Sequence, residues 1–268
     1  GQDWLYTVVE RGAESERARV VGSLRDIVYV PGQAGVANAR LSDPATLLVT
    51  LTVTGDAYAD PGHDAGAGVG AFALIAEALA ARRKAGIAPF TVLSCDNLAE
   101  NGRCARDATV AAASLHSEAL AGWISREVAF PSSVVDRITP ETTDDSRSLI
   151  ADRFGLADGW PVVAEPFSQW VIEDAFSGPR PPLELCGAQF TSDVSDHATA
   201  KRRLLNGGHS ALGYVGYLLG HRTTDQAMAD PLVARFMDRL LREEIAPQLC
   251  EPAGLDLDTY CDELLERF

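Results

Sequence analysis

Lys201, Asn206 and His209 stand within nine consecutive residues, Lys201-Arg-Arg-Leu-Leu-Asn206-Gly-Gly-His209. An amine, a carboxamide and an imidazole are groups that can take a proton from a hydroxyl and hold the oxygen left behind. Lysine can serve as a base where its surroundings lower its pKa, whereas arginine keeps its proton at any working pH. The chain otherwise uses arginine for positive charge, with Lys84 and Lys201 its only lysines against 21 arginines. Lys84, in Ala-Arg-Arg-Lys-Ala-Gly, reads as a helix-end cation facing the dipole. Lys201 is the candidate acid/base. On an α-helix of about 100° per residue, His209 falls about 80° and Asn206 about 140° from Lys201, and Gly213, Gly216 and Gly220 share that side at about 60° to 120°. Mid-helix glycine costs on the order of 1 kcal/mol relative to alanine, so the stripe implies a close neighbour, either a helix or a ligand. A polar helix start at a domain interface, with the glycines serving helix packing, explains the same residues without chemistry.

Asn97 supplies a second carboxamide, just past the apolar run Phe90–Ser94. If that run is a buried parallel strand, Asn97 lies where ligands of such sheets bind, beyond the carboxyl end. Asp136, in Val134-Val135-Asp136-Arg137, is a carboxylate at a candidate site, or equally half of a surface ion pair with Arg137 or a helix-capping acid. Gly66 to Ala71 matches the loose dinucleotide fingerprint, but that motif works as a tight turn between strand and helix. Residues 55–65 separate it from the preceding strand, so it reads as a flexible glycine loop with His63 solvated, and no cofactor-binding residue is assigned. Cys95, Cys104, Cys186, Cys250 and Cys261 are scattered without a CxxC pair, which gives neither a zinc-site pattern nor a disulfide framework and suggests reduced thiols in the cytoplasm. The Tyr-x-x-x-Lys pair of short-chain reductases is absent, because no lysine follows Tyr214 or Tyr217.

These groups need a scaffold, and the pattern predicts one. Leu5–Val9, Arg19–Ser23, Ile27–Val30 and Leu47–Thr54 read as strands, and Gly70–Ala85 as a helix stopped by Gly86. Phe90–Ser94 is a further strand and Ala105–Ile124 a further helix. Alternation of this kind, with continuously apolar strands, predicts an α/β Rossmann-like parallel sheet. Pro131, Pro140 and the acidic run Glu141–Asp145 mark an expected boundary, with residues 1–140 as a partial dinucleotide-binding domain and 141–268 as a mostly α-helical substrate domain. Val162–Ala164 and Trp170–Ile172 are candidate strands in the second part, followed by helices over Thr199–Leu219 and Pro231–Ile245.

The 268 residues carry a formal net charge of -15, which argues against nucleic acid or an anionic membrane surface as partner. No apolar run approaches the roughly 18 to 20 residues of a membrane helix, and Gly1-Gln2-Asp3-Trp4 has neither the basic flank nor the apolar stretch of a secretory signal.

Four blocks in order carry a resemblance: FTVLSCDNLAENG (90–102), VAFPSSVVDRITP (128–140), EPFSQWVIED (165–174) and KRRLLNGGHSAL (201–212). Together they are similar to the mannitol dehydrogenase family of long-chain polyol dehydrogenases. The resemblance implies a metal-independent, NAD-dependent oxidoreductase that interconverts a linear polyol and a ketose. It implies Lys201 as the acid/base, Asn97 and Asn206 holding the reacting oxygen, and His209 and Asp136 binding the polyol. Within the family, fructuronate and tagaturonate reductases are alternatives. Outside it stand a Schiff-base lyase using Lys201 and an inactive carbohydrate-binding fragment. The family's glycine-rich phosphate loop is expected ahead of Leu5 and further sequence after Phe268, so the chain reads as an interior portion of a longer enzyme.

Overall fold

The structure, a computed structural model, describes residues 2–12, 16–53, 55–59 and 70–268. It divides into two compact units, Gly1–Phe190 and Thr191–Phe268. Most of the Gly66–Ala71 run, and His63, lie outside the described residues.

The first unit opens with β1 (Tyr6–Arg11) and β2 (Glu16–Val21), paired antiparallel from Tyr6↔Val21 to Arg11↔Glu16. Next come α1 (Val30–Ser42), β3 (Leu48–Leu51), α2 (Gly55–Ala59), α3 (Ala71–Ala85) and β4 (Thr91–Ser94). The helices α4 (Asn101–Ser114) and α5 (Glu118–Glu127) follow, and then β5 (Ser133–Asp136), α6 (Asp144–Phe154), β6 (Val162–Ala164), β7 (Gln169–Glu173) and β8 (Gln189–Thr191). β3 and β4 form the parallel pair expected from their apolar sequences, in register Leu48↔Thr91 to Leu51↔Ser94. β6 joins β1 in parallel, and β7 pairs antiparallel with β5.

Side chains of α3, α4 and α5 (Phe72, Ile75, Leu79, Ala105, Ala112, Ile124) pack with Leu51, Phe90 and Val92 in one buried core. Arg82 is buried at 2% exposure, an expensive place for a charge. It is accommodated because its guanidinium donates to the carbonyls of Ala88 (2.8 Å), Leu41 (3.0 Å) and Asp43 (2.7 Å), tying α3 to the chain on either side of it.

Three sequence expectations need correction. Ile27–Val30 is not a strand: Ile27 and Tyr29 are exposed, no strand among the described residues partners them, and Val30 opens α1 ahead of Pro31. Ala105–Ile124 is two helices, because the Ser117 hydroxyl accepts from the Leu120 amide (3.2 Å) and starts α5 afresh. The division between units falls at 190/191 rather than near 140. The acidic run is a helix start, with Thr143 capping α6 and Asp144 and Asp145 in its first turn, where carboxylates are favoured. β6 and β7 belong to the first unit because their partners are β1 and β5.

The second unit is helical. α7 (Ser195–Ala200) runs into a π-helical turn over Lys201–Asn206 and on into α8 (Gly207–Leu218). α9 (Thr224–Met228) follows, then α10 (Pro231–Arg239), which continues into a second π-turn over Leu240–Ile245, and finally α11 (Leu257–Arg267). Thr199–Leu219, expected as one α-helix, is thus interrupted by a wider turn in its candidate catalytic stretch. Leu204, Leu205, Leu212, Met237, Leu241, Tyr260 and Leu264 are buried in this unit. Two glycines of the stripe serve packing: a Cβ at Gly208 would stand 2.8 Å from the Phe268 ring, and one at Gly216 would stand 2.8 Å from Ala227 Cβ. A Cβ at Gly213 or Gly220 would meet nothing within 4 Å, although Gly220 has φ +92° and ends its helix in the left-handed region.

Candidate functional site

In a π-turn each amide bonds the carbonyl five residues back instead of four, as Gly207 N–H does to Arg202 O. The extra residue in the turn makes everything after it lag by about one residue's rotation, about 100°. Asn206, about 140° from Lys201 in a regular helix, moves to about 40°, and His209 moves from about 80° to about 20° on the other side. On ideal rotation the three positions thus fall within about 60° of one another instead of about 140°. Lys201 and His209 are half-buried and Asn206 is exposed. The His209 ring packs on Phe268, with centroids 4.7 Å apart and planes tilted by 53°. Leu204, Leu205 and Gly208 are buried, and a Cβ on Gly208 would stand 3.4 Å from Leu241 of the second π-turn, so the two wide turns pack together. His197, one turn before Lys201, is buried at 3% exposure, and burial holds its imidazole below the usual value despite the opposing Ala253 backbone and Asp196.

In the first unit, β3 and β4 are parallel and the segment 129–136 continues the same sense. Val92 N–H bonds Ala129 O (3.1 Å), and Ser133 Oγ donates to Ser94 O (2.6 Å). Asn97 follows the end of β4 and is exposed; Asp136 is the last residue of β5 and is buried at 7% exposure. Both lie past or at the carboxyl ends of co-directional segments, where ligands of such sheets bind. Arg137 turns to other partners, donating to Glu165 O and Glu10 Oε1, each at 3.0 Å.

The loop that presents Asn97 is held by groups that the sequence reading did not single out. Asp96 accepts from Val53 N–H (2.8 Å) and from the Tyr58 hydroxyl (2.5 Å). Burial, reinforced by the Asp96 carboxylate, raises the Tyr58 pKa, so the phenol stays protonated and donates. Burial also raises the Cys95 thiol to about 11, with Asp96 adding to the effect, which leaves it a poor nucleophile at neutral pH. Asn101, buried at 1% exposure, bonds the backbone of Ser94, Asp96 and Ser133. Its one visible signal was its place inside the block FTVLSCDNLAENG, where a buried asparagine looks like any polar loop residue. All five cysteines are free thiols, and among the described residues no three His, Cys, Asp or Glu side chains gather as a metal site. No described helix is long and apolar enough to cross a membrane.

Gly102 sets how closely α4 seats on the segment before β5. A Cβ there would collide with Phe130 O and stand 2.7 Å from both Pro131 C and Ser132 N. These are backbone atoms that cannot rotate aside. Gly102→Ala is expected to cost about 3 kcal/mol, the top of the ordinary overpacking range, read as a lowered denaturation midpoint in the complete protein. An unchanged midpoint would show that the segment yields.

Comparisons with known proteins agree with one another. The family description "Mannitol dehydrogenase Rossmann domain" matches residues 1–185, and "Mannitol dehydrogenase C-terminal domain" matches residues 193–268. Mannitol 2-dehydrogenase of Aspergillus fumigatus is 40% identical over 291 residues, covering 100% of this chain and 57% of its own length. A mannitol dehydrogenase of Saccharomyces cerevisiae is 41% identical over 285 residues with the same coverage. The chain thus spans 57% of the length of these curated relatives. Among solved structures, a substrate-free D-sorbitol dehydrogenase superposes with a TM-score of 0.94 at 35% identity, over 99% of this chain and 58% of its own. Pseudomonas fluorescens mannitol 2-dehydrogenase, in a ternary complex with NAD and D-mannitol, gives 0.87 at 39% identity, over 100% and 58%.

Proposed function

The chain belongs to the mannitol dehydrogenase family, and from that membership we propose that it carries the catalytic residues of an NAD-dependent polyol dehydrogenase, interconverting a mannitol-like polyol and a fructose-like ketose. One observation supports the assignment of roles: a π-turn spans Lys201–Asn206, and its wider rotation would bring Asn206 and His209 toward the side of Lys201. Single π-turns inside α-helices are frequently found at functional sites.

NAD, when bound, would supply the hydride acceptor for the carbinol carbon. The residues of this chain handle the oxygen. The neutral Lys201 amine takes the hydroxyl proton as the C–H bond breaks, leaving a carbonyl and an ammonium. The carboxamides of Asn206 and Asn97 donate to that oxygen as negative charge grows on it, without adding net charge that would hold the product. His209, braced by Phe268, and Asp136 bind neighbouring hydroxyls of the polyol. Lysine as base needs no metal-bound water, so the reading is metal-independent. The carboxyl ends of β3 and β4 are the edge at which a dinucleotide lies in a parallel sheet. None of the described glycines forms the tight strand-to-helix turn that holds a pyrophosphate, so no residue is assigned to that part of NAD.

The test is an NADH absorbance screen of the complete enzyme with mannitol, sorbitol, fructose, fructuronate and tagaturonate, each with both nicotinamide cofactors. The expected result is reversible mannitol–fructose turnover with NAD. Turnover of a uronate alone would move the substrate class, and borohydride trapping of a carbonyl substrate on Lys201 would replace the dehydrogenase with a lyase.

A further inference from the structure

We propose that Asn101 is a positioning residue that locks the Asn97 loop to the strand carrying Asp136, so that the two groups keep a fixed spacing at the polyol. The proposal rests on the roles given to Asn97 and Asp136 above.

The two segments begin bonded backbone to backbone, Val92 to Ala129. Further along, where the residues that face the ligand begin, side chains take over the bridging. The Asn101 Nδ2 group donates toward Ser94 O (3.2 Å), Asp96 O (3.0 Å) and Ser133 O (2.9 Å). Its Oδ1 accepts from Ser133 N–H (2.9 Å). Ser133 Oγ adds a bond to Ser94 O (2.6 Å). Ser94 and Asp96 lead directly into Asn97, and Ser133 opens the strand that ends at Asp136. One carboxamide thus grips both segments just before each turns toward the ligand.

A carboxamide suits this place because it offers donors and an acceptor in one plane. Aspartate would set an oxygen against three carbonyls, and alanine would leave buried backbone groups unpaired. The backbone is committed to the arrangement as well. Glu100 holds φ +52°, the left-handed region that non-glycine residues rarely adopt. That turn starts α4 with Asn101 pointing into the junction, and Gly102 permits the close seating on Phe130–Ser132. Strained backbone of this kind persists where the surrounding structure over-determines it. Binding and catalytic groups have to be held within about 0.5 Å of their working positions by supporting hydrogen bonds, and Asn101 is placed to do that.

The experiment is a double-mutant cycle in the complete enzyme, with Asn97→Ala, Asn101→Ala and the pair. A positioning role predicts that Asn101→Ala lowers kcat about 10- to 100-fold with KM for NAD little changed, and that the pair loses no more than about 3-fold beyond Asn97→Ala alone, because residues that act as a unit are non-additive. Asn101→Asp should give no rescue. Amide hydrogen exchange should quicken at residues 94–98 and 133–136 while staying unchanged in α3. Fully additive losses, or unchanged exchange at 94–98, would overturn the proposal. Should Asn101→Ala fail to fold, Ser133→Ala removes one tie between the same segments and enters the same cycle with a smaller effect. Should Asn97→Ala leave kcat intact, the functional reading of Asn97 falls, while the exchange measurement still decides whether Asn101 fixes the loop.

Discussion

Replacing Lys201 by alanine is expected to cut kcat/KM for polyol oxidation by about 10²- to 10⁴-fold, the range for loss of a general base. Lys201→Arg should give no rescue, because guanidinium keeps its proton and charge. That comparison separates the roles open to this residue. A lysine that anchors a hydroxyl by its charge tolerates arginine better than alanine; a base does not. Oxidation uses the neutral amine, so its rate should rise with pH through the lysine pKa, and reduction, which draws on the ammonium, should fall over the same interval. Steady-state rates of both variants in both directions across pH are the measurement. If Lys201→Arg keeps more than about a tenth of wild-type oxidation, outside the range for general-base loss, Lys201 is not the base.

Asn97→Ala and Asn206→Ala should each lower kcat with little change in KM. Each removes a donor that meets charge present only in the transition state, worth roughly 2 to 4 kcal/mol. The structure sharpens the expectation for Asn206. On helix geometry the π-turn puts Asn206 about 40° from Lys201 instead of about 140°. An increase in KM at unchanged kcat, measured in the complete enzyme with mannitol and fructose, would assign both amides to ground-state binding instead.

The alternation of strands and helices was legible because burial writes itself into sequence: Leu48–Leu51, with three apolar residues of four, and the wholly buried Thr91–Ser94 pair in parallel as expected. The stop at Gly86, left-handed at φ +69°, was legible for the same local reason. Long-range pairing was not. Nothing in Val162-Val163-Ala164 names β1 as its partner, so the boundary was expected about where composition changed instead of where contacts do. The candidate site was legible in its residue types. Its geometry was hidden, since Lys201 to Leu205 all have good α-helix propensity, while the buried Leu204 and Leu205 and the close seat of Gly208 on Phe268 are long-range facts. Asn101 was hidden because its importance lies in four backbone contacts, two of them to Ser133, 32 residues away.

The wide turn at Lys201–Asn206 also ties the candidate site to the packing of the second unit. If the same six residues relaxed into an ordinary α-helix, the backbone would regain its regular ladder while Asn206 and His209 swung about 100° away from the lysine. The same swing would turn Leu212 off the core and carry Gly208 and Gly216 away from the Phe268 ring and the Ala227 side chain that they seat against. The wider register is therefore held by the whole buried face of α8, and the candidate site and the fold of this unit share one free energy. On warming, activity and the helical far-ultraviolet signal should be lost together.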